Sequence, residues 1–388
     1  MVNRMQRFHV GVIKRKLNRT RIFNLDESPM PLSLTKQTWA NKGQQVVTIV
    51  NGKDDYDKRQ GTLVCLIPSN GDLVSSINVG LVFRGLGQRI PTLEEQFYKK
   101  YCKNVDIFFQ PKAWVDQPTM IKIVEKTWKN ACTNMEKHPL FRDSPKERNH
   151  IFMDNLEAHT TLETKRAFAK LNTDVIFGPP SLTQSWQPVD QGWAAIFKSL
   201  YAQKLEDWLD LVDSDTNVPN FDLWESGKMT ASDRRMVMAL CVQQAYEEII
   251  ELIRINDPNR FNAESLRRMF ARGGLLVTSD PETWKEVTPQ GFEKYAIPCD
   301  DLNVFDDETN VDSLENVDEV EQEPDEEFNE DDDDSDGNYS EEDDDEEKEA
   351  RRFDFNAAIN SLPITARNSI KDPATAEPEC IPHSIRSN

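Results

Sequence analysis

Between residues 300 and 349 the chain carries 28 acidic residues and one basic residue, Lys348. Such a segment cannot bury enough apolar surface to offset the entropy of ordering its backbone, so it is expected to be disordered. The residues after it are sparse in apolar pattern and are expected to be loose as well. A fold must therefore be built from residues 1–298. The run also dominates the charge of the 388-residue chain, which is −22 overall. Outside it stand 40 acidic and 45 basic residues, a net of +5. The acidity belongs to the tail and does not exclude nucleic acid as a partner of the rest.

No stretch approaches the roughly eighteen apolar residues of a membrane span, and the first twenty residues are too polar for a secretory h-region. A soluble, non-secreted protein with no membrane partner is expected. The six cysteines (Cys65, Cys102, Cys132, Cys241, Cys299 and Cys380) form no C-x-x-C pair and have no histidine at zinc-finger spacing. They read as reduced structural thiols.

Short apolar or β-branched runs broken by Gly, Asn or Pro predict strands at "RIFNLD", "QQVVTIV", "GTLVCLI", "SSINVGLVF", "HIFMDN" and "TDVIF". Antiparallel strands followed by strands separated by helices suggest a mixed α/β sheet. The apolar positions Trp193, Ile196, Phe197, Leu200, Tyr201, Leu205, Trp208, Leu209 and Val212 keep a 3.6-residue period, predicting a helix that begins near Pro188 and Asp190. A second amphipathic helix is expected after Thr230, and a third after Asn262 as N-cap, with Gly273 as its stop.

Two of the strands end alike: "RIFNLD" closes on Asp26 and "HIFMD" on Asp154, while Asp190 stands just ahead of the long helix. Neighbouring strand ends and a helix crossing them can bring three carboxylates together. Three such acids suit two-metal phosphodiester cleavage, with two Mg²⁺ or Mn²⁺ ions about 4 Å apart activating a water or 3′-hydroxyl and stabilising the leaving oxygen. Taken singly, each aspartate reads equally as a turn former or helix cap.

The flanking words tip the balance. "FNLDES", "FMDNLEAH" and "GPPSLTQSWQPVDQG" followed by "FKSLY" resemble the three signature blocks of the DDE superfamily of transposase endonucleases, in the pogo/Tigger and jerky branch related to centromere protein B. The likeness runs through Asn24, Asp26, Glu27 and Ser28; Asp154, Asn155 and His159; and Pro179, Pro180, Gln187, Pro188, Asp190, Gln191, Gly192, Phe197, Lys198 and Tyr201. Fainter echoes include "KAWVDQ" at residues 112–117.

That resemblance implies an RNase H-like, retroviral integrase-like α/β fold: a mixed sheet with flanking helices, then a helical C-terminal part and the acidic tail. The expected divisions are a short basic segment at 1–20, the catalytic core at 21–215, a helical extension at 216–298 and the tail at 299–388. It further implies Asp26, Asp154 and Asp190 as the catalytic, metal-binding triad for two Mg²⁺ or Mn²⁺ ions. Glu27, Asn155, His159, Gln187 and Gln191 are either partners around the ligands or ordinary turn and capping residues. DNA is the expected partner, with self-association as in transposases, a nuclear location, and basic proteins such as histones as candidates for the tail.

The sequence departs from the family pattern at two places. About twenty residues precede the first block, where relatives carry a helix-turn-helix region, so the chain reads as a core without its targeting module. "KRKLNR" (14–19) is readable as a remnant, a phosphate-contacting strand or a nuclear-import signal. Leu156 and Glu157 replace the smaller residues usual beside the second acid. The rival reading is a domesticated, non-catalytic chromatin- or DNA-associated protein retaining the fold.

Overall fold

The computed structural model describes residues 1–30, 61–88, 90–142, 146–212, 218–225 and 229–298. The expected strand "QQVVTIV" and the acidic tail lie outside the described residues. Helix α1 (Val2–Arg15) leads through a short 3₁₀ turn into β1 (Ile22–Met30), β2 (Gly61–Pro68) and β3 (Val79–Arg84). Then come α2 (Thr92–Tyr101), β4 (Val105–Gln110), and α3 (Gln117–Ile123), which continues through a π turn at Val124–Trp128 into α4 (Lys129–Glu136). After α5 (Pro139–Arg142) follow β5 (Asn149–Met153), α6 (Glu157–Thr160), α7 (Leu162–Ala169), β6 (Thr173–Phe177) and α8 (Thr183–Trp186). The chain ends in α9 (Ala194–Leu209), α10 (Asn220–Glu225), α11 (Ala231–Ile255) and α12 (Ala263–Arg272), then irregular backbone.

The six strands lie in the order β4-β3-β2-β1-β5-β6. β2 is antiparallel to both neighbours, whereas β3 with β4, β1 with β5 and β5 with β6 are parallel. Five strands thus run the same way, and their C-terminal ends share one edge. This mixed sheet flanked by helices is the RNase H-like arrangement expected.

Alternation along the strands aims Phe23, Leu25, Val64, Leu66, Ile151 and Met153 into one core with Met120, Ile123, Trp128 and Phe168 from the helices. Each such side chain, fully buried, contributes about 1.5–3 kcal/mol. Trp128 also satisfies its indole N–H on Thr173 Oγ1 at 2.9 Å. Elsewhere, α9 packs along α11, whose Tyr246 hydroxyl donates to the carbonyls of Val74 and Ile77. Cys65, Cys102, Cys132 and Cys241 are free thiols. Among the described residues no helix is long and apolar enough to cross a membrane.

Two local expectations change. "KRKLNR" is no strand: Lys14 and Arg15 close α1, Lys16 caps it at φ 50°, and Arg19 opens the 3₁₀ turn. α1 itself is amphipathic, burying Met5, His9, Val10, Val12 and Ile13. Burial pushes His9 down to about 4, so it is neutral; Nε2 donates to Gly273 O at 2.9 Å, and Nδ1 lies 2.7 Å from the Tyr295 hydroxyl. The long helix starts at Ala194 rather than near Asp190, because Gly192 breaks it at φ 145°. α12 stops at Gly273, its C-cap, as expected, and Gly274 follows at φ 76°. The Thr230 and Asn262 caps form as expected, Thr230 in a full capping box with Asp233.

Candidate active site

Alternation in β1 puts Asn24 and Asp26 on one face and Leu25 and Glu27 on the other. β5 runs parallel to β1 with Phe152 level with Asn24. The paired register ends there; Asp26 lies two residues further along β1, and Asp154 two residues beyond Phe152, just past the end of β5. The charge of Asp154 acts on Asp26, so the two carboxylates lie at the same end of the sheet.

Asp190 reaches the same edge because its segment is bonded to β1. The buried Asn24 side chain donates to Phe152 O at 3.0 Å and accepts from Val189 N–H at 3.1 Å, joining all three stretches that bear the acids. Gln187, fully buried, donates to Leu25 O at 3.4 Å. Its neighbour Trp186 is wedged in place: a Cβ on Gly178 would lie 2.0 Å from the indole, and one on Gly273 2.0 Å from the Trp186 carbonyl oxygen. Past Asp190, Gly192 takes a φ that L side chains rarely adopt, letting the wide turn at Val189–Trp193 swing into α9.

The other face of β1 supplies a second link. His159 is completely buried, with Nδ1 2.6 Å from Asp154 Oδ1 and Nε2 2.9 Å from Glu27 Oε1. Both ring nitrogens face carboxylates, so both carry protons. Burial opposes that charge, but Glu27 and Asp154 outweigh it and hold His159 up to about 10. Asp154 Oδ1 also accepts from Leu156 N–H, so both of these hydrogen bonds fall on one oxygen of the carboxylate. Asn155 donates to Gly178 O at 2.7 Å, tying the loop after β5 to the end of β6, and Gln191 donates to Ser185 O at 2.6 Å.

Burial first, then the charges of Glu27, Asp190 and Asp154, push Asp26 up to about 8. Asp190 is raised too, by burial and Asp154, while a hydrogen bond with Thr183 and the charge of Lys198 pull against the rise. Cys65, opposite Asp26 in β2, is driven well above the ordinary thiol range by burial and by Asp26, Glu27 and Asp190. All three aspartates thus lie within electrostatic reach of one another.

Among the described residues, no group of three or more His, Cys, Asp or Glu side chains is disposed to hold a metal ion as it stands. The donor chemistry nonetheless fits a hard divalent cation. Asp26 in β1 and Asp154 just past β5 supply carboxylate oxygens, the hard donors such an ion takes. Mg²⁺ is typically held by one or two carboxylates with waters and phosphates rather than by a closed protein cage.

Two contributors stood in the family-like blocks without an assigned role. Asn24 carries its signal in the N-x-D spacing, which puts an amide on the same strand face as the acid. Lys198 stands two turns beyond Asp190, in the "FKSLY" word.

Residues 63–251 match the family of DDE superfamily endonucleases, a span that includes Asp154 and Asp190 and begins after Asp26. No curated protein matches the sequence. Among solved structures, the chain is similar to a pre-cleavage Mos1 transpososome at 14% identity and TM-score 0.35, with 64% of this chain and 61% of that chain covered. A Mos1 transposase paired-end complex with left transposon end gives 15% identity and TM-score 0.33, over 70% and 62% of the two chains. The Mos1 transposase catalytic domain with Raltegravir and Mg gives 14% and 0.30, over 64% of this chain and 94% of that one. The chain thus spans about three fifths of the length of the transpososome chains it resembles.

Proposed function

We propose that the chain is a transposase-type endonuclease core of the pogo/Tigger/jerky branch, cutting DNA phosphodiester bonds with Mg²⁺ or Mn²⁺ at Asp26, Asp154 and Asp190. The observation that supports this reading is the parallel pairing of β1 with β5 through Asn24 and Phe152, two residues ahead of Asp26 and Asp154, with Asn24 also accepting from Val189 N–H beside Asp190. When bound, two such ions would activate a water or 3′-hydroxyl and stabilise the leaving oxygen.

The chain's own residues prepare that edge. Asp26 gathers negative potential in a buried position. Asp154 is oriented by His159 and by the Leu156 N–H. Asp190 is the most exposed of the three, held on a segment whose backbone is bonded to β1. A strand-transfer step by a freed 3′-hydroxyl, and pairing of two copies on DNA, belong to the same proposal. Binding through Lys and Arg to phosphates would weaken with salt.

The test is nicking of supercoiled plasmid by the full chain with Mg²⁺ or Mn²⁺, beside an Asp154→Asn variant. The parent should cut only with metal, and the variant should lose about a hundredfold or more. Equal cutting by both overturns the assignment, as does no cutting by the parent.

A further inference from the structure

The first acidic residue of the chain is Asp26, and seven Lys and Arg precede it. Apart from these and from residues 300–349, the chain holds 38 basic and 40 acidic residues, so its positive excess outside the acidic run comes from this one stretch. Most of that stretch is α1, which turns Met5, His9, Val12 and Ile13 inward. Arg4, Arg7, Gly11 and Arg15 repeat at helical spacing and share an outer face, within about 80° of one another around the axis. The three arginines are exposed, and among the described residues no ion pair engages them.

The apolar face of α1 is spent on the core, so a membrane or an apolar groove has nothing to hold, and a merely solvated basic face is the plain reading. Gly11 argues against it. A glycine inside a helix costs stability against alanine, yet a Cβ at this position would meet nothing within 4 Å. No internal packing calls for the glycine, whereas a ligand drawn close to bare backbone between Arg7 and Arg15 does. Position points the same way. Phe8 packs against Phe152 of β5 and against Trp186, with ring centroids 6.1 and 5.5 Å apart. Arg15 lies toward the other end of that strand, where its charge acts on His150. α1 thus runs counter to β5, and its first turn, with Arg4, heads for the edge that bears the acids.

We propose that the outer face of α1 docks the phosphate backbone of duplex DNA, with Arg4, Arg7 and Arg15 following one strand away from the cutting edge and Gly11 letting it come close. At 1.5 Å per residue the row from Arg4 to Arg15 is about 16.5 Å long, the rise of about five steps of a DNA strand at 3.4 Å each. DNA is favoured over an acidic protein segment because the cations form a single row leading to the acids. This inference rests on the reading of the three aspartates as a DNA-cleaving site.

The test measures binding of the full chain, in chelator, to a fluorescent duplex of about 30 base pairs over a range of salt. Combining Arg4→Gln, Arg7→Gln and Arg15→Gln should shrink the slope of log affinity against log salt by about 3, whatever the duplex sequence. The same charge change at the exposed Lys122, Lys129 and Lys137 of α3 and α4, which pack on the other face of the sheet, should leave the slope within about 1 of the parent. Gly11→Leu should weaken binding about tenfold. Thermal melting of each variant confirms that it folds. A parent-like slope in the triple arginine variant overturns the inference, as do an equal drop in the lysine control and parent-like binding by Gly11→Leu. Poly-glutamate that displaces the duplex at equal charge concentration also overturns it, in favour of an acidic protein partner, and so does a parent that binds no duplex. Plasmid nicking is scored apart: the expected slopes without metal-dependent cutting remove the nuclease reading alone, and cutting with a parent-like slope in the arginine variant removes this one alone.

Discussion

His159 Nε2 lies 2.9 Å from Glu27 Oε1, joining the loop after β5 to β1 across 132 residues of sequence. With Nδ1 on Asp154, the imidazolium is a charged staple between the two strands that carry the first two acids. His159→Gln should destabilise the fold by about 1–3 kcal/mol near pH 6. Because the folded histidine titrates at about 10, its contribution is complete below about pH 6.5 and is lost as pH rises through the folded value. Urea unfolding across that range should show the gap between parent and variant closing. A gap independent of pH would mean the charge contributes nothing.

Asp26 titrates in the opposite sense for a carboxyl, being raised to about 8. Ionising it in the fold therefore costs stability progressively as pH climbs from about 4 toward that value. Asp26→Asn should be more stable than the parent by about 1–2 kcal/mol at slightly alkaline pH, with the advantage vanishing near pH 4. Plasmid nicking should be lost in the same variant. Melting curves at both pH values decide the matter; a destabilised variant would contradict the assigned burial and repulsion.

Asn24→Ala removes a donor from Phe152 O and an acceptor from Val189 N–H, both buried. About 2–4 kcal/mol should be lost, since unsatisfied buried backbone groups cost more than the bond itself contributes. Nicking should fall about a hundredfold, because the Asp190 segment loses its tie to β1. Denaturation read beside initial nicking rates separates the two effects.

Gly192→Ala should cost about 1–3 kcal/mol through backbone strain at φ 145°. A Cβ there would also meet Met269 at 3.2 Å. Combining it with Met269→Ala relieves the crowding but not the dihedral. Little recovery in the double variant is expected; full recovery in urea unfolding would assign the glycine to packing alone.

The strand-end aspartates were legible because apolar runs closing on a polar residue announce strands, and the observed β1, β5 and β6 follow them. β4 was passed over: Asp106 interrupts its apolar run, and the structure buries that acid against the Thr127 hydroxyl at 2.9 Å. The helical period ran on through Trp193, so a break confined to one glycine dihedral left no trace in the pattern, and α9 was placed too early. His159 was recognised as a candidate beside Asp154, but its bond to Glu27 is a tertiary fact that no local spacing encodes. Likewise Gln187 and Gln191 were left open between contact and backbone roles; the structure has both side chains donating to carbonyls.

The seating of Trp186 between Gly178 and Gly273 has a further consequence for the third acid. The C-terminal helices act as a backstop, so Asp190 keeps its station only while α12 keeps its own. A fragment ending at residue 251, where the family match stops, would retain Asp26, Asp154 and Asp190 and forfeit that brace. If the three acids act as proposed, such a piece would sit slack at one corner, and shortened versions are expected to turn over weakly from lost geometry.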